Sequence, residues 1–316
     1  MASRTKPETA VVSLAAIRNP RRGVTEYLFF ERQQIFTLRT TAGRRAKTTT
    51  LMRRALRAKE PVKVVLDPRR AQIQRVDTPT LEEIEAFKRR KIRSDVRGTT
   101  KKIDLARLDP TTFNVVDLQL KVPIFRLCRK TIPNYRMAMK IFAFCAKQSC
   151  HLGGPYDISP CIPFQYVIDG CYARAHKMRQ IITTKYRYCC EKVFSFANQG
   201  NDTLAVKADK WGGCCVYWWY HVAPLVRVKV RIGKISIALA MVIDPGMFDK
   251  PVLLSTWLAA QANTSCSPDS NVSMYSIQPG SAYWPTSLSG TMFGTDPNYA
   301  LTDGTLNDYK NLTTCP

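Results

Sequence analysis

The sequence predicts an α+β protein in two parts, a small β-α-β-β-α domain followed by a larger cysteine-rich unit. Three observations predict it. Stretches with strand-like alternation and stretches with helical spacing succeed one another in the first part of the chain. All 11 cysteines lie between Cys128 and Cys315, and residues 1–127 contain none. A polar, charged stretch from Arg97 to Asp109 lies between the two parts and reads as a linker. With 316 residues, of which 45% are hydrophobic, the chain can bury a sizeable core and is long enough for two domains.

The elements follow in order. Thr25 to Leu38, rich in Tyr, Phe, Ile and Leu, reads as a strand. Lys47 to Lys59 places Leu51, Met52, Ala55 and Leu56 at helical spacing. Pro61 to Leu66 alternates as a strand, Asp67-Pro68 turns the chain, and Ala71 to Val76 is a second short strand. Thr80 caps a helix through Lys91, with Glu82, Glu83 and Glu85 in its first turns and a basic run at its end, as the helix dipole favours. The small domain therefore folds over about 24–95. After the linker, Leu118 to Leu127 is again extended and apolar. The cysteine-rich part opens with a helix near Asn134 to Lys147, then a Gly/Pro/Ser-rich loop between Cys150 and Cys161, which looks like a local disulfide. A helix from about Gly170 to Thr183 precedes strand-like segments at Lys192 to Ala197, Cys214 to Val230 and Ile232 to Ile243. The tail beyond Ser265 reads as mostly loop.

Composition bounds the function. So many cysteines in one part indicate an oxidising, extracytoplasmic or secreted setting, and their odd number leaves at least one thiol unpaired. Ala10 to Ile17 is long enough for a weak signal-peptide core, but Glu8 precedes it, Arg18 and Arg21-Arg22 follow, and no small-residue cleavage site is present. It reads as part of the folded protein or an unstructured start, and the signal of a secreted protein would already be gone. No apolar run approaches the ~18 residues needed to cross a bilayer, so no membrane partner is expected. Residues 1–127 hold 29 Lys+Arg against 13 Asp+Glu, and residues 128–316 hold 19 against 11. A basic first part invites a nucleic-acid or acidic-partner module. No base-reading motif or metal-finger spacing accompanies it, so no nucleic acid is expected. The adjacent pairs Cys189-Cys190 and Cys214-Cys215 lack the two-to-four-residue spacing of zinc ligands, and no metal or other cofactor is expected.

The chemistry concentrates in the second part. Asp169 is a suitable N-cap, which puts Cys171 in the first turn of its helix, and Cys171, Ala175, Met178 and Ile182 make one apolar face. A helix N-terminus stabilises a thiolate and Arg174 adds positive charge, while Asp169 opposes it. An ordinary half-cystine or buried thiol is the plainer reading of the same position. A thiolate nucleophile needs an imidazole. His176 follows by five residues, about 140° round the helix from the sulfur, and His151 adjoins Cys150 in a loop. His221, in the run CCVYWWYHVAPLVRV, is the remaining candidate, although a core histidine would look the same. Asp244 ends the apolar strand ISIALAMVIDPGMF and could orient the imidazole. Cys on a helix, His on a strand and Asp on the next strand is the papain-like and transglutaminase-like order.

Three blocks carry a resemblance. SPCIPFQYVIDGCYARAHKMRQI (159–181), GCCVYWWYHVAPLV (213–226) and VIDPGMF (242–248) closely resemble bacterial protein glutaminase, the protein-glutamine deamidase. Upstream, KEPVKVVLDP (59–68) and TLEEIEAFKRR (80–90) resemble that family's pro-region, so about 24–270 is covered. The resemblance implies a Cys-His-Asp triad at Cys171, His221 and Asp244. It implies a secreted precursor, with 1–127 as pro-region and intramolecular inhibitor, 128–316 as catalytic domain, and an activating protease. It implies hydrolytic deamidation of accessible glutamine in proteins and peptides through a thioester. Trp218, Trp219 and Tyr220 are the expected substrate contacts. A thiol protease or a transglutaminase using the same triad is the alternative.

Overall fold

Phe30 and Glu31 break the apolar run between Thr25 and Leu38 into two antiparallel strands. Folding back there lets both halves bury their alternate residues against one core, which a single long strand could not do. The computed structural model describes residues 7–21, 24–38, 42–90, 93–94, 99–102, 128–197, 200, 202–232 and 235–315. The first part runs β1 (Glu8–Arg21), β2 (Val24–Phe29), β3 (Arg32–Leu38), α1 (Ala42–Ala58), β4 (Pro61–Asp67), β5 (Gln72–Asp77) and α2 (Leu81–Arg90). The expected β-α-β-β-α order thus gains two strands: the hairpin, and β1, which takes up Ala10 to Ile17. β1 lies between β2 and β4, β4 pairs β5, and β3 pairs both β2 and, in parallel, β5. The five strands close on themselves around Tyr27, Phe29, Phe36, Met52, Val64, Leu66 and Ile73. Thr80 and Glu83 form a reciprocal capping box at the start of α2: Glu83 N–H donates to Thr80 Oγ1 at 3.2 Å and Thr80 N–H to Glu83 Oε2 at 2.9 Å.

The remaining elements are β6 (Arg93–Ser94), β7 (Thr99–Lys102), α3 (Tyr135–Lys147), α4 (Cys171–Thr184), β8 (Glu191–Phe196), β9 (Leu204–Lys207), β10 (Cys215–Trp218), β11 (Tyr220–Ile232), β12 (Ile235–Val242), β13 (Val252–Leu253), α5 (Leu254–Ala259), β14 (Met274–Pro279), β15 (Ala282–Pro285), β16 (Phe293–Thr295) and α6 (Ala300–Tyr309). A six-stranded sheet in the order β13-β12-β11-β8-β14-β7 carries α4 against it. The expected strand over Cys214 to Val230 divides at Trp219, and the tail is far from mostly loop: β14 sits inside the main sheet, and α6 packs on α4. Leu118 to Leu127 and most of the expected linker lie outside the described residues. Within that linker Thr99–Lys102 forms the edge strand β7, paired with β14.

The two parts are not separate units. The sheet β2-β1-β4-β5-β3 continues through β3 into β10 and β9, with Gln34 opposite Trp218. Ala15, Leu28 and Ile35 share one core with Cys171, Tyr172, Trp219 and Tyr220. Apolar residues on the outer face of the small domain therefore gain a second partner, which an element-by-element reading of the sequence does not reveal. Four disulfides, Cys128–Cys189, Cys150–Cys161, Cys214–Cys315 and Cys215–Cys266, tie the second part together. Closing the 101-residue separation of Cys214 and Cys315 contributes about 4–5 kcal/mol on a chain-entropy account.

Candidate functional site

Helix α4 begins where the chain can turn sharply. Its N-cap is Gly170, not the expected Asp169, with φ +80° in the left-handed region; a Cβ there would lie 2.8 Å from the Tyr309 ring. Cys171 follows as the first helical residue, and α4 is buried on every side from Cys171 to Met178 rather than along one stripe. It is a central helix, enclosed by the main sheet, α6 and the N-terminal strands. Asp169 does other work. Its carboxylate accepts Gln33 N–H at 3.1 Å, Arg32 at 3.1 Å and Tyr309 O–H at 2.8 Å, so it ties the first part of the chain to the second. Arg174 donates to the carbonyls of Tyr166 and Asp169, both at 2.6 Å, and braces the loop that leads into the helix.

His221 stands near the start of β11 and lies opposite Ser195 of β8, while β12 pairs with β11 only from Leu225 onward. Its Nε2 meets Asp244 Oδ2 at 2.9 Å, and both residues are buried. Asp244 lies two residues beyond β12, where its carbonyl accepts the N–H groups of Met247 and Phe248. Its Oδ2 also accepts the indole N–H of Trp257 at 2.9 Å. The imidazole lies between two aromatic rings, stacked on Trp218 at 4.4 Å between centroids and on Trp257 at 5.4 Å. With Nε2 on the carboxylate, Nδ1 is buried and has no hydrogen-bond partner among the described residues. The Cys171 sulfur is close to the backbone N–H of Val222, the residue after His221. Thus Cys171, His221 and Asp244, from a helix, a strand and a strand end, gather in one place.

Charge is set by burial first. Burial pushes the Cys171 thiol up, with Arg174 acting against it and Asp169 adding to it. Burial depresses His221, and the hydrogen bond and charge of Asp244 pull it back in part. Burial works to raise the Asp244 carboxyl, but hydrogen bonds from His221 and Trp257 hold it below its usual range.

His176 lies elsewhere on α4. Its Nε2 is 3.0 Å from the Asp296 carbonyl and its Nδ1 is 2.7 Å from Lys192 Nζ, so neither nitrogen is open. His151 is exposed, edge-on to Trp211. Three thiols are unpaired among the described residues, Cys145, Cys171 and Cys190, all buried. Cys171 is therefore one of three free thiols, and the odd count alone does not single it out.

Trp218, Trp219 and Tyr220 are fully buried beneath the β2–β3 hairpin. The Trp219 indole donates to the carbonyls of Phe29 at 3.2 Å and Arg32 at 2.7 Å, and the Tyr220 hydroxyl donates to that of Phe30 at 3.4 Å. Trp218 donates to the carbonyls of Val167 and Ile168 at 3.0 and 3.1 Å. The tip of the hairpin thus lies directly on the site. Gln33, just past the tip, reaches Cys171: its Oε1 accepts the Cys171 N–H at 2.9 Å. Sequence reading missed both Gln33 and Trp257. Gln33 stands between Arg32 and Gln34, and nothing local marks it. A tryptophan 13 residues after Asp244 was a visible signal, but only the fold brings it onto the carboxylate.

This is a mixed α/β enzyme fold with a buried cysteine, histidine and aspartate at its centre. A family model described as Glutaminase matches residues 138–261. A crystal structure of a pro-protein-glutaminase is 28% identical over 98% of this chain and 95% of its own, with a TM-score of 0.72. A crystal structure of protein-glutaminase is 36% identical over 59% of this chain and 92% of its own, with a TM-score of 0.51. The solution structure of protein-glutaminase from Chryseobacterium proteolyticum is 37% identical over the same shares, with a TM-score of 0.50. No curated protein matches the chain. The chain belongs to the protein-glutaminase family and is a hydrolase of that family in its pro-form.

Proposed function

We propose that this enzyme deamidates glutamine side chains in proteins and peptides, giving glutamate and ammonia, with Cys171 as nucleophile, His221 as acid and base, and Asp244 as the group that orients His221. The observation that carries the reading is the buried imidazole with one nitrogen on Asp244 and the other open, beside a cysteine at a helix N-terminus. His221 takes the thiol proton, and the sulfur attacks the side-chain carbonyl carbon of the substrate. The oxyanion forms against the Cys171 N–H. The imidazolium returns its proton to the departing nitrogen, ammonia leaves and a thioester remains. Water, deprotonated by His221, hydrolyses the thioester and frees Cys171. Asp244 fixes the tautomer, and the flanking indoles of Trp218 and Trp257 favour the imidazolium by cation–π attraction.

Residues 1–127 act as the pro-region and inhibitor of the catalytic part, 128–316. The hairpin lying on the site supports this, because a protein chain cannot reach Cys171 while Phe30 and Gln33 rest on Trp219, Tyr220 and the helix start. The four disulfides support a secreted enzyme. A protease cutting between about Arg97 and Thr131, a stretch mostly outside the described residues, would separate the two parts. The test is ammonia release from a glutamine-rich protein before and after limited proteolysis. Activity should rise more than about tenfold on cleavage, the loss of a few buried contacts at the hairpin. It should be lost in Cys171→Ser. Isopeptide cross-links with lysine would indicate a transglutaminase, and backbone fragments a protease.

A further inference from the structure

Three segments of the second part are basic and lack acidic residues. Residues 128–147 hold five Lys or Arg and no Asp or Glu, residues 180–190 two and none, and residues 226–232 three and none. The backbone brings these segments together. Arg129 N–H donates to the Arg187 carbonyl at 2.7 Å, and the Arg129 carbonyl accepts Cys189 N–H at 2.8 Å. Further on, Ile132 N–H donates to the Arg227 carbonyl at 2.7 Å, and the Ile132 carbonyl accepts Lys229 N–H at 2.8 Å. The Cys128–Cys189 disulfide fixes the start of the segment. Arg129 and Lys130 thus stand between the Arg187 turn and β11. Lys185, in the same turn as Arg187, lies over the Phe144 ring of α3, 4.2 Å from its centroid. Arg129, Lys130, Lys185, Arg187 and Lys229 are exposed and make no ion pair among the described residues. Glu191, opposite Leu225 in the sheet, is taken by Arg227 at 3.0 Å.

We infer that this cluster is a second binding site for the substrate protein, one that takes acidic polypeptide and so retains the product of the enzyme's own reaction. This rests on the reading of the enzyme as a glutamine deamidase. Like charges held together by a fixed backbone set up a local positive potential that an anionic partner relieves. Each turnover replaces a neutral carboxamide by a carboxylate, so the substrate protein gains one negative charge at neutral pH. A molecule already deamidated at one glutamine is therefore held more tightly than an untouched one, and its remaining glutamines stay near Cys171. The occupant is polypeptide and not nucleic acid, because the catalytic site of the same chain turns polypeptide into the anion that the cluster attracts. The two sites are distinct. His221 is near the start of β11 and Lys229 lies about 26 Å further along it, at about 3.3 Å per strand residue. About eight extended residues of a bound chain span that distance.

Binding to the full-length Cys171→Ser chain tests the inference, since the cluster is exposed there and nothing is turned over. The probes are two synthetic peptides of one sequence, with several glutamines in the first and glutamates in their places in the second. The glutamate peptide should bind about tenfold more tightly or better at low salt. The difference should vanish near 1 M salt, where the screening length is about 3 Å. Lys130→Glu with Lys229→Glu should abolish the preference. Arg53→Glu with Arg54→Glu, an equal change of net charge on exposed residues of α1, should keep it. Equal binding of the two peptides overturns the inference. So does an equal loss in both double variants, which would make net charge alone the cause. Double-stranded DNA that binds through Lys130 and Lys229, while the two peptides bind alike, marks a nucleic-acid site and overturns it too. If near-UV circular dichroism shows the first double variant to be misfolded, Lys130→Gln with Lys229→Gln decides in the same assay: a weakened preference upholds the site, and an undiminished one overturns it. The deamidase reading is tested apart, in the processed wild-type enzyme. No ammonia from a short uncharged glutamine peptide sinks that reading, whereas ammonia release together with equal binding of the two probes sinks only the second site.

Discussion

Helix α4 passes two buried imidazoles, and the two lie in opposite kinds of surroundings. His221, near the helix start, has a carboxylate on one nitrogen, an unpartnered second nitrogen, and indoles on both faces. His176, on the helix itself, has the Asp296 carbonyl on one nitrogen and Lys192 Nζ on the other. Burial depresses both, but Asp244 pulls His221 back towards its ordinary range, whereas Lys192 and Arg179 push His176 further down, to about 2. Burial alone therefore does not make a histidine an acid-base group. What counts is one nitrogen free to reach a substrate and an anion to stabilise the charge that appears there.

The largest test of this difference is to remove each imidazole. His221→Ala should lower ammonia release by the processed enzyme about a thousandfold or more. His176→Gln should keep most of the activity. Comparable, near-complete losses in two well-folded variants would erase the distinction. Next in size is the anion. Asp244→Asn keeps the shape but removes the charge and presents an N–H where the imidazole also needs to donate, so activity should fall about a hundredfold or more. An Asn variant within a few-fold of wild type would show that His221 needs no carboxylate. Smaller still is Trp257→Phe, which keeps a ring near His221 and deletes the hydrogen bond to Asp244. About a tenfold loss is expected, the worth of one hydrogen bond to a charged group, and it should fall on kcat more than on KM because the fully buried Trp257 acts through Asp244.

How much of this was legible in the sequence depends on how far apart the partners stand. Local signals were clear. Asn134 caps α3 by accepting Met137 N–H at 2.9 Å, and Thr80 and Glu83 box the start of α2. Helical geometry alone removed His176 from consideration as the base, and the structure puts His176 in a separate, fully occupied cluster. Where the reading went astray, a local rule met a long-range demand. Asp169 looks like a cap, yet its carboxylate is taken by Arg32, Gln33 and Tyr309, and Gly170 caps instead. The apolar residues of α4 looked like a stripe, yet the helix has protein on every side. Ala15, Leu28 and Ile35 of the small domain sit in a core shared with the second part, which no local pattern marks. Gln33 bonds a residue 138 positions away, and no window along the chain contains both.

The smallest effect concerns stability rather than rate, and it isolates the environment of His176. Its folded pKa of about 2 lies below the ordinary value of 6.5, so the unfolded chain binds a proton that the folded chain refuses. Above pH 6.5 neither state is protonated at this residue and the difference adds nothing. As the pH falls below 6.5, the unfolded state gains the proton first, and folding should lose about 1.4 kcal/mol per pH unit from this residue. The cause is visible in the contacts: Nδ1 accepts from Lys192, whose Nζ also donates to the Ala282 carbonyl at 2.5 Å, so a proton on Nδ1 would face a donor and not an acceptor. Arg179 adds repulsion, and only the Asp296 carbonyl favours the charged form. His176→Gln can still accept from Lys192 while having no proton to gain. Its free energy of unfolding, from urea titrations between pH 7.5 and pH 5, should fall less steeply than that of the wild type by about one proton's worth of slope. His221 and the carboxylates contribute equally to both curves and cancel in the comparison. Parallel curves would mean that His176 takes up its proton in the folded state, and the contrast between the two imidazoles would then rest on geometry alone.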